Sequence, residues 1–240
     1  MSQPAWDDPR IENGMTQQLK LRRELLRAGK QHLGWKLAFG GPAAMQRLRI
    51  NEPLVGFLMA DAVVHSGSVV SLHGWTKPAA EPEITVHLDQ DLAAGADRQT
   101  TICAIGGLGA AIELADVDHP SVDVEGTLAR DIYQRHLVLG RRDNSYAGGC
   151  LRGLNARVAL NTQEIANTSD LEALTGELIH IVAHVANLLA RFGEALRAGD
   201  IIIAGSITPP IWVQPGDLLS FQLEPFERIS LAFAPKPETI

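Results

Sequence analysis

Beyond its first thirty residues this chain is cut into short apolar and β-branched runs separated by turn-forming residues. That pattern limits what it can fold into more than any other feature. The runs fall at 34–39, 56–60, 63–64, 68–72, 84–88, 112–114, 138–140, 157–161, 163–166, 201–205, 218–223 and 229–233. Each suits a strand of ordinary length and none suits a long helix. Asn161-Thr162 reads as a hairpin turn, and Pro215-Gly216-Asp217 as a second turn. Helical spacing is confined to 15–29, closed by Gly29, to 42–48, and to 171–192, where Leu178, Ile181, Val182, Val185, Leu188 and Leu189 share one face. The expected architecture is α+β on mixed sheets, with a small helical N-terminal section over 1–50 and a β-rich catalytic domain over 51–240, the whole one structural unit. A chain of 240 residues buries roughly three quarters of the surface it exposes when unfolded. With aromatics at only 5%, Leu, Ile, Val and Ala must build that core.

The segment Ala80-Glu81-Pro82-Glu83-Ile84-Thr85-Val86-His87 carries the most chemistry. Residues two apart on a strand point to one face, so Glu81 and Glu83 project side by side. Paired carboxylates repel unless a cation compensates, and Mg or Mn, which prefer oxygen ligands, do this well. Pro82 lacks an N–H and suits a sheet edge or a strand start. Glu113, inside Ala110-Ala111-Ile112-Glu113-Leu114-Ala115, is a carboxylate in an apolar run, costly to bury unless paired or metal-bound. The alternative is that Glu81 and Glu83 line a solvated face while Glu113 pairs with an arginine.

Other signals are weaker. A net charge of −7 without a basic stripe argues against nucleic acid. No run approaches the roughly 20 apolar residues of a membrane span. Met1 to Asp8 lacks the basic and apolar regions of a signal peptide, so a cytoplasmic location is expected. Cys103 and Cys150 sit in no ligand spacing and read as buried, reduced thiols; His119 and His136, near in sequence, complete no motif. His180 and His184 stand four apart on a helix without a third ligand in view, and an apolar helix face explains them more simply. Gly106-Gly107-Leu108-Gly109 precedes a strand rather than a helix, which makes it a poor dinucleotide loop.

Four ordered motifs resemble those of the fumarylacetoacetate hydrolase superfamily, in its branch of 2-keto-4-pentenoate hydratases and 4-oxalocrotonate decarboxylases. They are Gly34-Trp35-Lys36, Glu81-Pro82-Glu83, Glu113-Leu114-Ala115-Asp116 and Gly199-Asp200-Ile201-Ile202-Ile203-Ala204-Gly205-Ser206. The resemblance spans roughly residues 34–233. It implies the mixed β-sheet roll of that family's C-terminal domain, with Mg or Mn on Glu81, Glu83 and Glu113. It also implies a catalytic Lys36 and a supporting acid at Asp116 that orients Lys36 or a ligand water, and it adds a homo-oligomer. The function implied is a metal-dependent lyase acting on a small 2-oxo acid through a metal-stabilised dienolate.

Departures from the family pattern shape the expectation further. Hydratases of the branch carry an acid in a Q-P-D-F-G-like segment; here it reads Glu52-Pro53-Leu54-Val55-Gly56, and Leu54 can neither give nor take a proton. Decarboxylases of the branch tend to be apolar there and share Glu81-Pro82-Glu83-Ile84. The family's D-N-A-S segment near the substrate is replaced by Arg130-Asp131-Ile132-Tyr133, which nominates Arg130 and Tyr133, with Ser206, for substrate binding. An acylpyruvate hydrolase would need a carboxylate–histidine pair, for which His32 is the candidate. A non-catalytic metal- or ligand-binding subunit, in complex with a related active chain, is the remaining alternative.

Overall fold

The computed structural model describes residues 8–236; the stretch 1–7, read above for a signal sequence, lies outside them. The elements in chain order are α1 (Pro9–Arg27), β1 (His32–Ala38), α2 (Pro42–Leu48), β2 (Leu54–Met59), β3 (Val63–Val64), β4 (Val69–Val70) and β5 (Pro78–Leu88). Then follow α3 (Arg98–Ala104), β6 (Ile105–Asp116), α4 (Val124–Ala129), β7 (Gln134–Leu139), β8 (Asn155–Leu160), β9 (Gln163–Thr168), α5 (Leu178–Arg191), β10 (Ile201–Ser206), β11 (Ile211–Trp212), β12 (Leu218–Glu224) and β13 (Arg228–Phe233). No helix among the described residues is long and apolar enough to cross a membrane.

The larger sheet runs β2-β1-β10-β5-β6-β7-β3, with β11 beside the start of β5. Its two end strands, β2 and β3, are separated in the chain only by Ala60–Ala62. Three residues cannot span an open seven-strand row, so the sheet must curl until its ends meet, forming a roll. Side chains then alternate between two environments. Trp35, Leu37, Phe57, Ile84, Val86, Ile112, Val138 and Ile202 point outward into the main core. Leu58, Ala111, Leu137, Ile201 and Ile203 point the other way and form a small cluster inside the roll. Lys36, Glu81, Glu83 and Glu113 share the parity of this inner set. Against the main core lies the second sheet, β4-β13-β12-β8-β9, which contributes Val158, Leu219, Phe221 and Leu231. The parallel pair β1–β10 needs Gly34, because a Cβ there would overlap the Ile201 carbonyl oxygen.

Several elements differ from their sequence expectation. Residue 50 is no boundary, because β1 sits between β2 and β10 near the middle of the large sheet. Helix α1 starts at Pro9, six residues earlier than its apolar pattern suggests, because Asp8 caps the Arg10 N–H at 2.9 Å and Pro9 is at a tolerant first position. Helix α5 starts at Leu178 rather than at 171, since Gly176 has φ 90° and Glu177 is extended. Pro82 lies in a central strand, not at an edge or a strand start. The Pro82 carbonyl accepts from the Ile207 N–H at 3.0 Å, so its missing N–H faces the place where the β10 register shifts between Ile203 and Ser206. The bulge removes the partner that proline could not serve.

Candidate metal centre

Antiparallel pairing sets Glu81 directly across from Glu113, and Glu83 follows Glu81 by one strand period. The three side chains each bring a carboxylate oxygen within 4.8 Å of the other two. Glu83 and Glu113 are fully buried, whereas Glu81 borders a cavity. Lys36 reaches the cluster from β1: its ammonium donates to Glu113 Oε1 and, at 2.8 Å, to the Ile132 carbonyl. The Gly205 N–H donates to Glu83 Oε2 at 2.7 Å. Glu83 Oε1 and Glu113 Oε2 are buried without any hydrogen-bond partner.

Burial dominates the electrostatics. It pushes Glu81 up to about 7, with the Glu113 carboxylate adding to the shift and Lys36 opposing it. Burial likewise holds Glu83 well above the ordinary carboxylate range, reinforced by Glu113 and Glu81. Burial also raises Glu113, against Lys36. Desolvation alone would pull Lys36 down, but Glu113, Asp131 and Glu81 outweigh it and keep the ammonium charged. Four buried carboxylates, counting Asp131, against one ammonium leave a net of −3 if all ionise. Two unpartnered oxygens in an all-oxygen donor set, short of positive charge, fit a hard divalent cation.

Asp131 was not singled out from the sequence as a site residue in its own right, yet the structure sets it beside Lys36. Asp131, Ile132 and Tyr133 all occupy the left-handed region, with φ of 58°, 49° and 65°. Each costs about 1–2 kcal/mol for a non-glycine residue, and Ile132 is β-branched besides. Tertiary bonds hold the segment in place. Asp131 Oδ1 accepts the Phe57 N–H at 2.8 Å, the Ile132 carbonyl takes the Lys36 ammonium, and the Tyr133 hydroxyl donates to the His119 carbonyl at 3.0 Å. Burial keeps the Asp131 carboxyl well above its usual range. Nothing in Arg-Asp-Ile-Tyr signals three such residues in a row, although Asp tolerates the conformation better than most.

A cavity of about 730 Å³ opens from this cluster. Lys36, Glu81, Tyr133 and Ser206 line it, together with Phe39 to Ala44 around the start of α2. Asp116 does not. Three residues after Glu113 on a strand, it points to the opposite face, where it accepts the Thr76 and Lys77 N–H groups at 2.9 and 2.7 Å. It steadies the entry to β5 rather than Lys36 or a ligand water. Arg130 is exposed at the end of α4 and is not part of the lining. Leu54 is buried in the main core, also off the cavity. His32 faces Asp200 at 3.4 Å and packs on Trp35, outside the lining. His180 and His184 both approach Glu52, at 3.3 and 3.9 Å, and tie α5 to the loop before β2. Cys103, on α3, and Cys150, in the loop before β8, are exposed, contrary to the expectation of buried thiols. Two cavity cations, Arg47 and Lys77, escaped the sequence reading; as isolated surface-type residues they carry no motif.

Comparison with known proteins identifies the family and the fold. The family model described as fumarylacetoacetate (FAA) hydrolase C-terminal matches residues 31–230. A 2-hydroxyhexa-2,4-dienoate hydratase of Comamonas testosteroni is 26% identical over 86% of this chain and 80% of its own length. A 4-oxalocrotonate decarboxylase of Pseudomonas putida is 27% identical over 91% of this chain and 83% of its own. The solved 4-oxalocrotonate decarboxylase of P. putida G7, complexed with magnesium and adipate, superposes with a TM-score of 0.84 at 25% identity, covering 93% of this chain and 86% of that one. A fumarylpyruvate hydrolase of Pseudomonas aeruginosa shares the fold at a TM-score of 0.69 and 14% identity, covering 86% and 90%.

Proposed function

The chain belongs to the fumarylacetoacetate hydrolase C-terminal family, and from that premise we propose that it is a divalent-metal-dependent lyase acting on a small 2-oxo acid. The observation that carries this is the trio of carboxylates beside a buried ammonium, with Glu81 and Lys36 lining the cavity and an unpartnered oxygen on each of the buried Glu83 and Glu113. Glu81, Glu83 and Glu113 would hold Mg or Mn. Bound there, the ion supplies Lewis acidity toward the adjacent carbonyl and carboxylate oxygens of a 2-oxo acid.

The remaining chemistry belongs to the chain's own side chains. Lys36 stays protonated, with one proton on Glu113 and one on the Ile132 carbonyl. An ammonium has three, and the third is free for the cavity, where it steadies negative charge developing on a substrate oxygen. Asp131 and the left-handed turn hold that ammonium in place. The Tyr133 hydroxyl is committed to the His119 carbonyl, so its ring is what it offers the substrate. Ser206 donates to the Thr208 carbonyl at 2.8 Å, which leaves its lone pairs to accept. Among the described residues lining the cavity, Glu81 is the sole carboxylate and none is a histidine. Water activation therefore has no evident base away from the cation. This favours decarboxylase-like chemistry over hydration, and both over acylpyruvate hydrolysis, for which His32 lies out of reach.

Offering oxalocrotonate, vinylpyruvate and acylpyruvates with Mg²⁺ or Mn²⁺ is expected to give metal-dependent turnover of the first, read as CO₂ release and the ultraviolet change of the conjugated enol. Metal binding without turnover of any of them would leave the non-catalytic binding role in its place. A second variant probes the lysine. A Cβ at Gly56 would lie 2.9 Å from both Asp131 Oδ1 and Lys36 Cγ. Gly56→Ala should therefore lower stability by about 1–3 kcal/mol. It should also reduce turnover more than Mn²⁺ affinity, compared by thermal unfolding, kinetics and calorimetric titration.

A further inference from the structure

The cavity is asymmetric in charge. Its floor holds Lys36 and Glu81, with Glu83 and Glu113 buried beside Glu81. Beyond that floor, the charged side chains that line it are Arg47, on α2, and Lys77, just before β5. Both are exposed to solvent. Among the described residues neither is paired with a carboxylate. The Lys77 ammonium rests 4.0 Å above the Trp212 ring, a contact that orients it while leaving its charge uncancelled. In a chain of net charge −7, two uncompensated cations at the mouth of one cavity stand out against the global sign.

Their reach fits a small molecule anchored on the floor. Lys77 stands in the bend that leads into β5, four residues before Glu81, and its carbonyl accepts the Val117 N–H at 3.0 Å. Four residues of chain place their backbones at most about 14 Å apart. A separation within that limit accommodates a short dicarboxylate held by its 2-oxo end. Apolar side chains fill the stretch between, from Ala115, Val117, Ala204 and Pro209. The passage thus matches a molecule with a hydrocarbon middle and an anion at each end.

We propose that Arg47 and Lys77 form a distal anion subsite that selects 2-oxo dicarboxylates over 2-oxo monocarboxylates of equal length. The proposal deepens the 2-oxo acid reading and rests on it. Because both cations are exposed, their attraction is screened, and they steer and sort substrates rather than clamp them. The expected preference is accordingly about tenfold at low salt, shrinking as salt is added.

The test is calorimetric titration of the Mn²⁺-loaded protein with 2-oxoadipate and with 2-oxohexanoate, in wild type, in Arg47→Ala/Lys77→Ala and in the charge-conserving Arg47→Lys/Lys77→Arg. Wild type should favour 2-oxoadipate about tenfold at low ionic strength. The alanine double variant should bring the ratio of the two affinities near one, and the charge-conserving pair should keep it. Metal-dependent binding of both acids with a ratio near one in wild type overturns the subsite alone. So does a ratio that survives in the alanine double variant. If neither acid binds in the presence of Mn²⁺, the 2-oxo acid reading fails, and the subsite with it.

Discussion

Glu113→Gln is expected to abolish Mn²⁺ and Mg²⁺ binding and to cut turnover of any 2-oxo acid substrate by about 10³-fold or more. Glu113 has two tasks at once. One oxygen takes the Lys36 ammonium, and the other is the unpartnered atom that faces its fellow carboxylates. An amide cannot supply the charge for either. Lys36, 1% exposed, would then sit in the roll without its closest counter-charge. Breaking a buried pair in this way costs about 3–5 kcal/mol, toward the lower figure here because Asp131 and the Ile132 carbonyl remain. The companion variant Lys36→Met/Glu113→Gln should recover most of that stability, since it removes the stranded charge. It should recover none of the metal binding. Thermal unfolding of the two variants with and without Mn²⁺ separates the tasks; normal Mn²⁺ affinity in Glu113→Gln would falsify the assignment.

Metal affinity should also collapse on acidification, by about tenfold per pH unit below 7 for each proton the ion displaces. Glu81 titrates at about 7 in the folded, metal-free chain, against an ordinary value of 4.5. The direction for stability follows from proton counts. Between those two values the folded chain keeps a proton that the unfolded chain has released. The stability that goes with it is full below about 4.5 and is lost as pH rises through about 7. Glu83, raised for the same reason, shifts in the same direction. The metal-free protein should therefore lose stability from mildly acidic to neutral pH, and added Mn²⁺ should restore it most strongly at about pH 8 and weakly at about pH 5.5. A metal-induced rise in melting temperature that stays constant over that span contradicts the carboxylate trio as the ion's seat.

Much of this was legible in the chain because it depends on local periodicity. Glu81 and Glu83 are two apart in a β-branched segment, so their common face needs no tertiary information. Glu113 stands out as one charge in an apolar run. The C-terminal pair of strands and the Asn161 turn, with φ 59°, are local in the same sense. What could not be read there depends on register and on distant partners. The Glu81–Glu113 alignment comes from a long antiparallel ladder whose offset no short window specifies. Asp116 followed a motif string, whereas strand parity sends position i+3 to the other face. Asp131 reaches Lys36 only through a left-handed turn stabilised by Phe57, which is far off in sequence. Pro82 seemed to demand an edge because nothing nearby announces the bulge in β10 that accommodates it.

The ladder between β5 and β6 has an implication for how chains of this kind diversify. All three carboxylates hang from two neighbouring strands whose hydrogen bonds lock their spacing, while α2, the 131–133 turn and the approach to β5 contribute parts of the cavity wall. Insertions, deletions or wholesale replacement of those wall segments can change which molecule enters without altering the inter-oxygen distances that an ion experiences. With the ion seated on the carboxylates as proposed, substrate choice and ion choice would fall to separable parts of one polypeptide, and new specificities could arise by loop exchange on an unaltered anchor.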